Sequence, residues 1–121
     1  MKLELVKVYE RNKINMGLNI ITIKEAYEIG GYEVDHITKI YEDGSQYESF
    51  RIGVDIDQEY LPEITYEYDP GSSPEKRFLI MTKGYGELIP EEAEKMISGY
   101  QEAIEVVRIL TEAFIMKGEK K

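Results

Sequence analysis

Three carboxylates at alternate positions, Asp55-x-Asp57-x-Glu59, are the closest this chain comes to a metal-ligand set. On an extended segment successive members would stand about 6.6 Å apart on one face. Calcium loops draw their oxygens together through a tight turn, which a straight strand does not supply. A two-metal hydrolytic site needs closer convergence still. The spacing therefore favours a solvated face, and a metal-dependent enzyme using these three residues is the most remote functional reading. His36 is the single histidine, and no Ser or Cys stands at a spacing that would make it a general base. It is expected in the core or at an interface. Gly84-Tyr85-Gly86 could begin a phosphate loop, but Glu87, Glu91 and Glu92 would surround the anion and no Lys-Ser/Thr pair follows. Those glycines are expected to turn the chain from strand to helix. The run from Thr22 to Gly44 has the outline of a helix-turn-helix reader, yet Glu33, Asp35, Glu42 and Asp43 outweigh Lys39 where a basic recognition helix would lie. No catalytic residue, metal or cofactor is expected, and the chain is read as a non-enzyme.

What recurs instead is tyrosine beside an acid: Tyr27-Glu28, Tyr32-Glu33, Tyr41-Glu42, Tyr47-Glu48, Glu59-Tyr60, Tyr66-Glu67 and Tyr68-Asp69. Half-exposed strands alone explain much of this, since tyrosine favours strands and its neighbours should be polar. The functional account is an acidic, aromatic sheet face that binds protein, with carboxylates steering a basic partner. The residues singled out for that face are Glu33, Asp35, Asp55, Asp57, Glu59, Glu67 and Asp69, with Tyr32, Tyr60 and Tyr68 as aromatic contacts.

The net charge is −9, and residues 24–75 supply the excess, with fourteen acids against Lys24, Lys39 and Arg51. Residues 1–23 are slightly basic through Lys2, Lys7, Arg11 and Lys13. Such a balance argues against direct nucleic-acid binding, which needs clustered bases to release counterions. It equally disfavours anionic lipid. The expected partner is a basic protein surface, such as that of a nucleic-acid-binding protein. The absence of cysteine excludes disulfides and thiolate sites. With no signal-peptide core after Met1-Lys2-Leu3-Glu4 and no long apolar run, a cytoplasmic location is expected.

These residues need elements to position them. Pro90, the acids Glu91, Glu92 and Glu94, and apolar residues from Ala93 to Phe114 at three- and four-residue steps predict an amphipathic helix over about 90–116. Gly118 is expected to stop it, with 119–121 a frayed tail after a single domain over 1–118. Phe50, Ile52, Val54 and Ile56 alternate as a half-buried strand paired with about 32–41 across the turn Glu42-Asp43-Gly44-Ser45-Gln46. Leu3–Tyr9 and Ile14–Ile21 read as a first hairpin. Residues 64–68 alternate again, and a turn over 69–74 leads to Phe78-Leu79-Ile80-Met81, apolar on both faces as in a central strand. Residues 22–31 fit either a short helix near 23–29, opened by Thr22-x-x-Glu25, or a continuing strand. The fold class is α+β, an antiparallel sheet of about five to six strands packed on one long C-terminal helix.

Small size, acidity and the lack of catalytic motifs make the chain similar in general character to phage-encoded inhibitors of host defence nucleases. That resemblance of composition implies an inhibitor docking its acidic face on a basic cleft. The alternative is a structural or regulatory homo-oligomer, associating through a sheet edge or the helix flank at Val106, Ile109 and Ala113.

Overall fold

Alternating side chains build four long strands: β1 (Glu4–Asn15), β2 (Leu18–Ile29), β3 (Tyr32–Tyr41) and β4 (Gln46–Val54). They form one antiparallel sheet in the order β1-β2-β3-β4. Two short strands, β5 (Ile64–Tyr66) and β6 (Phe78–Ile80), pair as a second sheet. Helix α1 (Pro90–Leu110) follows, ending in a π-helical turn over Thr111–Met116, and packs against the sheets. This computed structural model describes residues 1–55, 57–68, 71, 73, 76–82, 84 and 86–116, with Asn15 described by its backbone alone. The expected turn residue Asp69, the helix stop Gly118 and the tail 119–121 lie outside the described residues, as do Ile56 and Tyr85.

The predicted α+β class holds, two local expectations are corrected and one open alternative is decided. The first hairpin turns at Met16-Gly17, not within 10–13. Both residues have positive φ, 52° and 81°, as a two-residue type I′ turn requires. Residues 22–31 continue β2 to Ile29 rather than forming a helix. Ile21, Ile23, Glu25, Tyr27 and Ile29 share one face of the sheet, and twelve paired residues outweigh one local capping signal. Phe78–Ile80 is not a central strand. It pairs with β5, and Leu79 stays 37% exposed.

The core lies between α1 and the inner face of the four-stranded sheet. Ile29, Tyr32 and Val34 come from that sheet, Leu61 from the segment after β4, Ile64 and Phe78 from the small sheet. From the helix come Ala103, Val106 and Leu110. Phe50, Tyr66, Phe78 and Phe114 add an aromatic cluster with ring centroids 4.7–5.1 Å apart. The helix enters with Pro90 in its first turn, and Glu92 Oε1 accepts the Ile89 amide at 3.3 Å. Its buried line runs Gly99, Ala103, Val106, Leu110.

Gly99 sets how closely the helix lies on the chain after β4. A Cβ at that position would stand 2.2 Å from the Tyr60 carbonyl oxygen, well inside contact distance. Alanine in a helix interior is ordinarily favoured over glycine by about 1 kcal/mol. The substitution Gly99→Ala is therefore expected to reverse that sign. Urea unfolding should show a loss of about 1–3 kcal/mol, the usual cost of overpacking. A neutral or stabilised variant would show that the close approach is not held in solution.

Candidate functional site

The segment after β4 does not run on as a strand; it folds over the N-terminal half of α1. The Asp55 amide donates to Gly31 O at 3.0 Å, the Gln58 amide to Asp55 O at 2.9 Å and the Leu61 amide to Gln58 O at 3.1 Å. Asp55 Oδ1 accepts the Asp57 amide at 3.2 Å. Asp55, Asp57 and Glu59 thus sit on consecutive turns rather than on one face of an extended strand. Leu61 and Pro62 are buried beneath them. Glu102 Oε2 accepts the Gly31 amide at 3.0 Å, and the Tyr60 hydroxyl donates to Glu92 Oε2 at 3.2 Å. Turn, helix and sheet end are held together by these contacts.

Between the turn segment and the helix runs an open groove of about 630 Å³. Asp57, Glu59, Glu91, Glu94 and Glu102 line it, and Lys95 is the one base among its described lining residues. Glu91, Glu94 and Glu102 belong to the helix, and the sequence pattern ties the first two to the helix dipole and none of the three to a groove. The missed signal is that Gly99 lies one turn beyond Glu94 and Lys95, marking the side of the helix on which another segment must lie. Among the described residues no group of three or more His, Cys, Asp or Glu side chains is arranged to hold a metal ion.

The other singled-out residues do not gather here. Glu33 and Asp35 project from the outer face of β3, paired in register with Gly53 and Arg51. Glu33 borders the same sheet end as Asp55. Glu67 and Tyr68 follow β5 beside Arg77, whose guanidinium lies 5.7 Å from the Tyr68 ring centroid. Tyr68 and Arg77 line a second depression with Gln46, Tyr47 and Glu48, at the start of β4. A nine-residue strand, roughly 30 Å, separates that end from Asp55. Asp69 is outside the described residues. A single acidic sheet face is thus replaced by acids at separate places.

Two further corrections concern burial. Tyr32 is 1% exposed and donates its hydroxyl to Pro62 O at 2.5 Å, so it is a core residue and no contact for a partner. Burial first, and then the Glu102 carboxylate, push its phenol far above the ordinary range. Val106 is fully buried, while Ile109 packs against the core and Ala113 is half-buried. The exposed flank of α1 carries Ile97 (53%) and Ile104 (40%) instead. The small residues Gly99 and Ala103 rotate the helix so that their side, and not the bulkier one, meets the sheet.

His36 proves to be the centre of a charged row on the inner face. Its Nδ1 lies 2.9 Å from Glu25 Oε1, and the Tyr27 hydroxyl donates to Glu25 Oε2 at 3.3 Å. Its Nε2 lies 3.1 Å from Glu48 Oε1, an ion-pair contact without an aligned hydrogen bond. The imidazole stacks on Phe50 at 4.6 Å and meets Phe114 at 5.0 Å. The expected packed histidine is present, with carboxylate partners that local spacing did not reveal. Compared with known proteins, the chain matches no family model, no curated protein and no solved structure. Among the described residues no helix is long and apolar enough to cross a membrane.

Burial pulls the His36 pKa down, but the Glu48 and Glu25 carboxylates outweigh it, and the net shift is upward. The folded ring therefore holds its proton more tightly than the unfolded ring. That linkage stabilises the fold fully below about pH 6.5 and fades as pH rises through the elevated folded value. The unfolding free energy from urea titrations is expected to fall as pH rises above about 6.5, by about 1.4 kcal/mol per unit of pKa difference. His36→Gln should flatten that fall. An equal slope in the variant would assign the pH dependence elsewhere.

Proposed function

We propose that the chain is a small acidic protein-binding module whose groove beside α1 docks on a basic protein surface. The observation that carries this reading is the gathering of Asp57, Glu59, Glu91 and Glu94 around one groove opposed by Lys95. The close contact at Gly99 and the Glu102–Gly31 bond hold the two walls in fixed relation. A preorganised acidic concavity loses little entropy on binding and draws a cationic partner in rapidly. Tyr60, half-buried in the groove wall, supplies aromatic contact area. The basic surfaces that fit such a groove include the phosphate-binding clefts of nucleic-acid-binding proteins. In that setting the module acts as an inhibitor, its carboxylates standing where phosphates would sit, and no catalytic group is needed. The inhibitor role, and a phage origin with it, rests on composition and on this groove.

The test is capture of the partner from lysate of the source cells at low and at high salt, with the Asp57→Lys/Glu94→Lys variant in parallel. The same basic protein should be retained by the wild type, released by salt and lost by the variant, with association slowed about tenfold or more. A partner bound equally by the variant and at high salt would remove the groove from the interaction.

Self-association is the second reading, and Ile97 and Ile104 favour it, because they lie exposed at a seven-residue step on one helix face. Light scattering should then give a mass above 14.1 kDa, reduced to the monomer by Ile104→Lys. A monomer at millimolar concentration would end that reading.

A further inference from the structure

The face of the four-stranded sheet turned away from α1 carries a charge opposite to that of the molecule. Strand register places Lys13, Ile20 and Tyr41 in one row across it, then Arg11, Thr22, Lys39 and Tyr47, then Tyr9, Lys24, Ile37 and Ser49. These three rows hold Arg11, Lys13, Lys24 and Lys39 and no acid. The next row holds Lys7, Asp35 and Arg51, and only the last is acidic, through Glu4, Glu28 and Glu33. Glu42 and Asp43 stand in the turn beyond the first row. From Ile20 to Glu28 the strand covers about 27 Å, more than three Debye lengths at physiological salt. The Lys13 row is therefore screened from the acidic end and the Lys24 row, about 14 Å from Glu28, less so; the net charge of −9 averages over both ends.

Tyrosines are set among these bases. Tyr9 and Tyr47 are 44% and 63% exposed. The Lys7 and Lys24 ammonium groups lie 4.7 and 4.8 Å from the Tyr9 ring centroid, and Tyr41 meets Tyr47 edge-on at 5.3 Å. We propose that this outer face binds single-stranded nucleic acid, with Arg11, Lys13, Lys24 and Lys39 on the phosphates and Tyr9 and Tyr47 under the bases. Rows about 6.8 Å apart along the strands place cation and ring side by side, as a splayed single strand requires. A duplex keeps its base faces stacked away from the rings and touches a sheet through few phosphates. An acidic protein would use the cations and leave the tyrosines without a role.

Fluorescence anisotropy with a labelled single-stranded RNA of about 12 nucleotides, within the site sizes of such binders, tests this on the full chain. Binding should be at least about tenfold tighter than to the duplex of equal length. With about four phosphates engaged, affinity should fall roughly 50-fold between about 50 and about 200 mM salt. Arg11→Glu with Lys39→Glu should abolish binding. Tyr47→Ala, an exposed and uncharged change, should weaken it roughly tenfold with the salt dependence unchanged. Absence of binding at low salt, equal binding of duplex, or equally effective competition by polyglutamate would overturn the proposal; the last would mark the face as a dock for an acidic protein.

Discussion

The closeness of the Tyr60 carbonyl to Gly99 is the constraint on which the rest of the molecule hangs. Wherever α1 is pressed this near to the chain, its small residues must face inward, so Gly99 and Ala103 turn toward the sheet. That rotation buries Val106 and Leu110 against Ile29, Tyr32 and Val34, and leaves Ile97 and Ile104 in water. It also stands Glu91, Glu94 and Lys95 opposite Asp57 and Glu59. The polar contacts follow the same seam, because Glu102 can reach the Gly31 amide only if the helix sits this low. One missing Cβ thus decides the helix face, the composition of the core and the shape of the acidic groove.

Charge in this chain is separated by place, and the separation follows from strand alternation. The outer faces of β1 and β2 take every second residue of a slightly basic stretch, which collects Lys7, Arg11, Lys13 and Lys24. The acids of the middle segment fall largely at turns or on the inner face, where Glu25 and Glu48 flank His36. A total of −9 averages over an acidic groove, a charged inner row and a basic outer face. Because exposed charges farther apart than about 8–10 Å are screened, each of these meets a partner on its own terms. An argument from net charge alone averages over surfaces that no partner sees together.

Much of the scaffold was legible because its signals are local. Pro90 and the acids after it mark the helix start, and Gly44 with Asp43 marks the β3–β4 turn, where Asp43 Oδ1 accepts both the amide and the hydroxyl of Ser45. The Met16-Gly17 turn was not legible, since methionine carries no turn preference and its positive φ is imposed by the strands it joins. The strand at 22–29 and the edge position of β6 depend on pairing with distant residues, which no window of sequence contains. The acidic groove was half legible. Asp57 and Glu59 stood out as a run, but their partners Glu91 and Glu94 come from an element more than thirty residues away, and only the Gly99 contact brings them together.

The same alternation bears on how copies of the chain could meet. Among the described residues β1 has no strand on its outer side, so twelve residues of backbone are open to pairing, a feature that invites association. Its side chains oppose that outcome. In an antiparallel pair of β1 strands about a two-fold axis through Tyr9, Lys7 faces Arg11 of the copy; about Glu10, Glu10 faces its own copy and Lys13 faces Lys7. Like charges directly opposite destabilise a strand pair, and the registers about Tyr9 and Glu10 both incur them. The bulge between Leu5 and Lys7 breaks the regular edge further. An edge guarded against its own copy remains open to a strand or strand-like polymer of opposite charge, and the cations that guard it are the ones that give the outer face its affinity for an anion.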